Sequence, residues 1–140
     1  MEIGGEVFAA GLRKDGKKWK IGINRPKKNA PFDQVYKVVY LQNKGFATSG
    51  DYRNYFECEG KRFSHILDPR NGYPITNGVV SVSIVADTCI VADGLATAVM
   101  VLGHEKGIDL VNTLDNTECL IVVQADDGTL TDYYSKGFIS

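Results

Sequence analysis

Asp93 and Thr97 stand four residues apart in "TCIVADGLATAVMVLG", a run with no other ionisable carboxylate. Helical spacing puts the carboxylate and the hydroxyl on one face. A carboxylate plus a hydroxyl oxygen is a hard donor pair suited to Mg²⁺, which completes its shell with carbonyls, waters and substrate phosphates. Asp93 lies mid-helix, so it cannot act as a cap, and burying it unpaired would be costly. The structural alternative is that Asp93 bonds a strand backbone or an arginine, while Thr97 bonds back to its own helix.

His65 is one of two histidines in the chain and opens the second candidate group, "RFSHILDPRNGYPI". An imidazole can take the proton from a hydroxyl nucleophile. Asp68 follows on a proline-fixed turn and offers a carboxylate to orient the ring or hold a ligand. The alternative is a hydrogen-bonded histidine at the core or its rim, between Phe63 and Ile66. Two glycine-containing pieces, "EIGGEV" with Gly4, Gly5 and Glu6, and "ATSGDY" with Thr48, Ser49 and Gly50 just after a strand, could bring backbone amides to a ligand. Turns and bulges use the same residues. Neither piece fits the phosphate-loop spacing or the Gly-x-Gly-x-x-Gly fingerprint. His104 is expected to start a second helix and is assigned no chemistry.

The elements that must position these groups can be read from hydrophobic period and turn residues. "EVFAAGL" and "KWKIGI" read as strands flanking a Lys-Asp-Gly-Lys turn, "RPKKNAPFD" as a loop, and "VYKVVYL" as another strand. "YFECEGKRFSHIL" reads as a hairpin turning at Glu59-Gly60-Lys61, with His65 near the end of its return strand. After the strand "VVSVSIVA", an Asp-Thr cap signal and the terminal Gly103 bracket a helix of about four turns. That helix is apolar nearly all round, which predicts burial on every side. A shorter amphipathic helix in "EKGIDLVNTL" and the strand "CLIVVQ" follow. The fold class expected is α+β, one domain over 1–140, with a largely antiparallel sheet, a buried helix and a shorter second helix.

Composition narrows the function. The chain has 140 residues, is 44% hydrophobic and carries a formal net charge of -1. That balance argues against a nucleic-acid partner, because such domains carry a cationic excess. Residues 1–28 hold 8 Lys/Arg against 3 Asp/Glu, and the remainder 8 against 14. The basic end reads as a solvated hairpin. Cys58, Cys89 and Cys119 form no Cys-x-x-Cys pair, which excludes a zinc knuckle and disfavours a disulfide framework. No run approaches the roughly 20 apolar residues of a membrane span, and no basic-then-apolar signal opens the chain. The expectation is a soluble chain with no export address.

Taken in order, "EIGGEV", "ATSGDYRNYF", "SHILDPRNGYPI" and "ADGLATAVMVLG" resemble the C-terminal half of the ApbE family of FAD:protein FMN transferases. The resemblance runs across nearly all of the chain. It implies a T-fold-like domain that binds FAD and Mg²⁺ and transfers FMN to a threonine hydroxyl of an acceptor flavoprotein subunit in a membrane redox complex, or hydrolyses FAD. By the same resemblance Asp93 and Thr97 hold the metal and His65 is the base. Gly4, Gly5, Glu6, Ser49, Gly50, His65 and Asp68 line the FAD site. Two departures stand out. Arg70-Asn71-Gly72 replaces the family's x-Thr-Gly after Asp-Pro. The second is length: the resemblance implies an N-terminal portion that is expected to lie outside these 140 residues, carrying the lipoprotein segment of an extracytoplasmic parent, part of the pocket and an Ala-x-Gly-Lys-Gly-like metal loop. A binding-only or structural fragment, or one completed by a partner chain or by dimerisation, is therefore the alternative reading.

Overall fold

The computed structural model describes residues 1–26, 34–51, 55–58 and 61–138. Its strands are β1 (Glu2–Ile3), β2 (Glu6–Ala9), β3 (Trp19–Asn24), β4 (Val35–Leu41), β5 (Lys44–Gly50), β6 (Tyr55–Cys58), β7 (Lys61–Ser64), β8 (Val79–Ala86), β9 (Glu118–Gln124) and β10 (Leu130–Tyr134). Between β8 and β9 lie the helices α1 (Cys89–Leu102) and α2 (His104–Val111). A six-stranded sheet runs β1-β2-β5-β8-β9-β10, and every pairing in it is antiparallel. The pairs β3-β4 and β6-β7 form two separate ribbons. The α+β class and the antiparallel sheet read from the sequence are those observed. The 59–60 part of the expected hairpin turn, and most of the loop at 25–33, fall outside the described residues.

The central strands are buried on both faces, and their two-residue period divides the core. On one face Ala47, Val82, Ile84, Cys119 and Ile121 pack against Ala92, Ala96, Val99 and Met100 of α1 and Val111 of α2. On the other, Phe46, Leu120 and Val122 meet Ile23, Val39 and Leu41 of the β3-β4 ribbon. The ribbon is also pinned by polar contacts. Tyr36 donates its hydroxyl to Asp132 Oδ1 at 2.6 Å, and Lys37 pairs with Asp132 Oδ2 at 3.1 Å. Burial, then the hydrogen bond to Asp132, pushes the Tyr36 phenol up to about 12.

Helix α1 begins and ends as its sequence signals require. Thr88 accepts a hydrogen bond from the Val91 amide at its N-cap, and Gly103 ends the helix at φ 85°. Asn77 supports that end from outside by donating its side-chain amide to Met100 O at 2.8 Å. The helix approaches β5 closely because Gly45 has no side chain: a Cβ there would lie 2.4 Å from the Thr88 carbonyl carbon.

Two sequence expectations change. Helix α1 is buried along one face only: Ile90 is 82% exposed, and Val91, Asp93 and Thr97 are also exposed. Its outward apolar residues reflect composition, and nothing within the described residues covers them. Thr48, Ser49 and Gly50 do not follow a strand. They are the last three residues of β5, which continues the chain after only Gln42-Asn43. That short connection resembles a hairpin, but β4 pairs with β3 whereas β5 pairs with β2 and β8. Asn43 makes the switch, taking φ 52° and accepting from the Gly11 amide at 2.7 Å.

Candidate active site

Side chains alternate along β5, so Ser49 follows Ala47 onto the helix side of the sheet. There its hydroxyl meets that of Thr97, with Oγ to Oγ1 3.1 Å. Thr48 turns to the ribbon side and pairs with Ser83 at 2.8 Å. His65 stands immediately after β7, between two buried neighbours. Ser64 accepts a hydrogen bond from the Ile66 amide, and Ile66 enters the helix-side core. The same alternation leaves His65 exposed. His65, Thr97, Ser49 and Gly50 line one open cleft of about 470 Å³, walled by Leu67 and Val101. Sequence positions 49, 65 and 97 thus converge on a single concavity.

The other proposed residues line separate recesses. Asp93, one turn before Thr97, lies in a recess of about 430 Å³ with Glu6, Phe8, Cys89 and Ile90. Being exposed, its carboxylate carries none of the burial cost anticipated from the sequence, and among the described residues no ion pair engages it. Gly4 and Gly5 form the β1-β2 turn at φ 68° and 110°, a conformation that favours glycine. They border a groove of about 790 Å³ between sheet and ribbon, shared with Trp19, Thr48 and Gly50. Thr48 and Gly50 line both groove and cleft, so the two spaces adjoin.

Of the two uses expected for Asp68, orienting the imidazole or holding a ligand, the first is not seen. No hydrogen bond joins it to His65 among the described residues. Its carboxylate accepts from the Arg70 guanidinium at 2.6 to 3.1 Å and from the Arg70 amide at 2.9 Å. Arg70 thereby holds the carboxyl down at about 2. Asp68 lies in a smaller recess beside the cleft, with Asn77 and Lys106. The turn is closed by backbone bonds from Gly72 to Asp68 O at 2.8 Å and from Asp68 to Tyr73 O at 2.8 Å. Asn71, where the resemblance implies a threonine, accepts from the Tyr73 amide at 2.8 Å, so the position offers a side-chain acceptor. Sequence reasoning missed Arg70. The Asp-Pro-Arg spacing was the available signal, since an aspartate in such a turn bonds two residues onward.

The arrangement offers an imidazole and the paired hydroxyls of Ser49 and Thr97 at one cleft, with a carboxylate one helical turn away. As donors, Asp93 and Thr97 fit Mg²⁺ in kind: both are hard oxygens on one face of α1. Among the described residues no group of three or more His, Cys, Asp or Glu side chains is placed to hold a metal. Any Mg²⁺ held here would complete its shell with carbonyls, water or ligand phosphate.

An antiparallel α+β domain with this cleft along its long helix is the class that fold and site define. The sequence matches the ApbE family over residues 1–121, and the chain belongs to that family. It is 44% identical over 138 residues to the FAD:protein FMN transferase of Vibrio cholerae, covering 99% of this chain and 40% of that protein. Identity to the enzyme of the same name from Treponema pallidum is 35% over 130 residues, covering 87% of this chain and 35% of that protein. Among solved structures, the flavin transferase ApbE of Vibrio cholerae superposes with a TM-score of 0.79 at 41% identity, over 98% of this chain and 42% of that one. The Thermotoga maritima ApbE protein does so at 0.77 and 37%, over 96% and 41%. The chain therefore spans about 40% of the length of these relatives.

Proposed function

We propose that this chain carries part of the site of an FAD:protein FMN transferase that works with Mg²⁺ on a threonine of an acceptor flavoprotein. The observation that carries the reading is the convergence of His65, Ser49, Gly50 and Thr97 on one cleft beside Asp93. FAD lies with its pyrophosphate in the cleft. The threonine oxygen of the acceptor attacks the FMN-side phosphorus, a phosphoester bond forms, the bond to the bridging oxygen breaks, and AMP leaves. His65 accepts the hydroxyl proton during attack. Asp93 and Thr97 hold Mg²⁺, which when bound supplies charge neutralisation at the pyrophosphate. Gly4 and Gly5 bring backbone to the flavin nucleotide in the adjoining groove. Asp68, clamped by Arg70, fixes the turn that follows His65. Water in place of threonine gives FMN and AMP. In keeping with its family, the acceptor is a subunit of a membrane redox complex and the setting is extracytoplasmic.

A second reading is that the cleft binds a ligand without turnover. One experiment separates the two. The chain is incubated with FAD, Mg²⁺ and a threonine-containing acceptor peptide, and the peptide mass is followed. Transfer predicts an FMN increment that Asp93→Ala reduces by about a hundredfold or more. An increment insensitive to Asp93→Ala overturns the metal assignment. FAD binding by calorimetry with no increment selects the second reading.

A further inference from the structure

We propose that Ser49 is a positioning residue for Thr97, the hydroxyl that orients it toward a bound cation. The inference rests on the reading of Asp93 and Thr97 as metal ligands and adds a part to that site. A threonine inside a helix commonly spends its hydroxyl on a carbonyl of its own preceding turn. Thr97 does not: its hydroxyl is paired across the interface with Ser49, 48 residues earlier in the chain, at 3.1 Å.

The chemistry of a hydroxyl ligand gives this pairing a use. An oxygen that offers a lone pair to a cation must direct its proton away from it, and that proton needs an acceptor. Ser49 Oγ is within hydrogen-bonding distance and can accept it. Its position is fixed by backbone, because Ser49 is paired with Val82 inside the six-stranded sheet. The spacing between strand and helix is fixed as well, by the side-chain-free contact of Gly45 with Thr88. With its proton given to Ser49, Thr97 Oγ1 keeps lone pairs for a cation also held by Asp93. Ser49 keeps its own proton to donate into the cleft.

The test is calorimetric titration of the chain with Mg²⁺ alone, without FAD, on the wild type, Ser49→Ala, Thr97→Val and the double variant. Ser49→Ala is expected to weaken Mg²⁺ binding about tenfold, and Ser49→Thr, which retains a hydroxyl, to restore it. Thr97→Val is expected to weaken binding at least as much, with no further loss in the double variant, because Ser49 acts through Thr97. Unchanged affinity in Ser49→Ala overturns the inference, as do multiplying losses in the double variant. A wild-type chain that binds no Mg²⁺ overturns the metal assignment beneath it, a separate and recognisable result. Thermal melting of the metal-free variants verifies folding, and Ser49→Thr carries the comparison if Ser49→Ala fails to fold.

Discussion

Along α1, the inward residues Ala92, Ala96, Val99 and Met100 are wholly buried, whereas on the outward side Ile90 is 82% exposed and Asp93 and Thr97 also face away from the core. The inward face carries alanines earlier along the helix, nearer the close approach of Gly45 to Thr88, and longer side chains toward its end. The outward face mixes apolar residues with the two oxygen donors. One helix therefore serves packing on one side and chemistry on the other, and substitutions on the two sides should separate stability from activity.

The largest expected effect is on the inward face. Met100→Ala should cost about 2–5 kcal/mol, through lost burial and the cavity left behind. The outward Ile90→Ala should change stability by less than about 0.5 kcal/mol. Denaturant midpoints on both variants test the pair, and equal losses would mean that Ile90 is covered. Gly45→Ala comes next. A Cβ at 2.4 Å from backbone forces strand and helix apart, an overpacking expected to cost about 1–3 kcal/mol. Asp93→Ala should leave that midpoint within about 0.5 kcal/mol while removing metal-dependent function. A large stability loss there would make Asp93 structural.

Titration extends the contrast beyond α1. Tyr36 is raised from 10.0 to about 12 by burial and Asp132, so its contribution to stability is complete below pH 10 and is lost as pH rises through 12. Unfolding free energy measured across that window should fall, and Tyr36→Phe should flatten the fall. For Asp68 the sign is opposite. Arg70 lowers it from 3.8 to about 2, so its contribution is present above pH 3.8 and is lost as pH falls through 2. The smallest effect is chemical. Burial pushes the Cys119 thiol up to about 11, while Cys89 lies partly exposed at the start of α1. In the native chain a thiol reagent should label Cys89 well before Cys119, and mass spectrometry of the digest reports the order.

Where signals were local, the sequence was legible. Thr88 and Gly103 bracketed α1 because caps act within one turn. The antiparallel class followed from the order of elements, strands first and helices late in the chain, and the ApbE family from four short motifs in order. The turn at Asp68 was visible, with its carboxylate free to orient His65 or hold a ligand, but the clamp by Arg70, two residues away, was not. β5 went unread because "KGFATSG" is rich in small residues and lacks a strong alternation, although pairing on both sides makes it a central strand.

By itself the sequence determined which groups are present, where α1 begins and ends, and which family the chain resembles, since those depend on neighbours within a few residues. Tertiary structure alone decided that β4 and β5 part into different sheets, that α1 is buried on one side only, and that Ser49 meets Thr97. Each of these turns on contacts between distant segments, which compete through packing and backbone pairing and leave no mark in the local pattern.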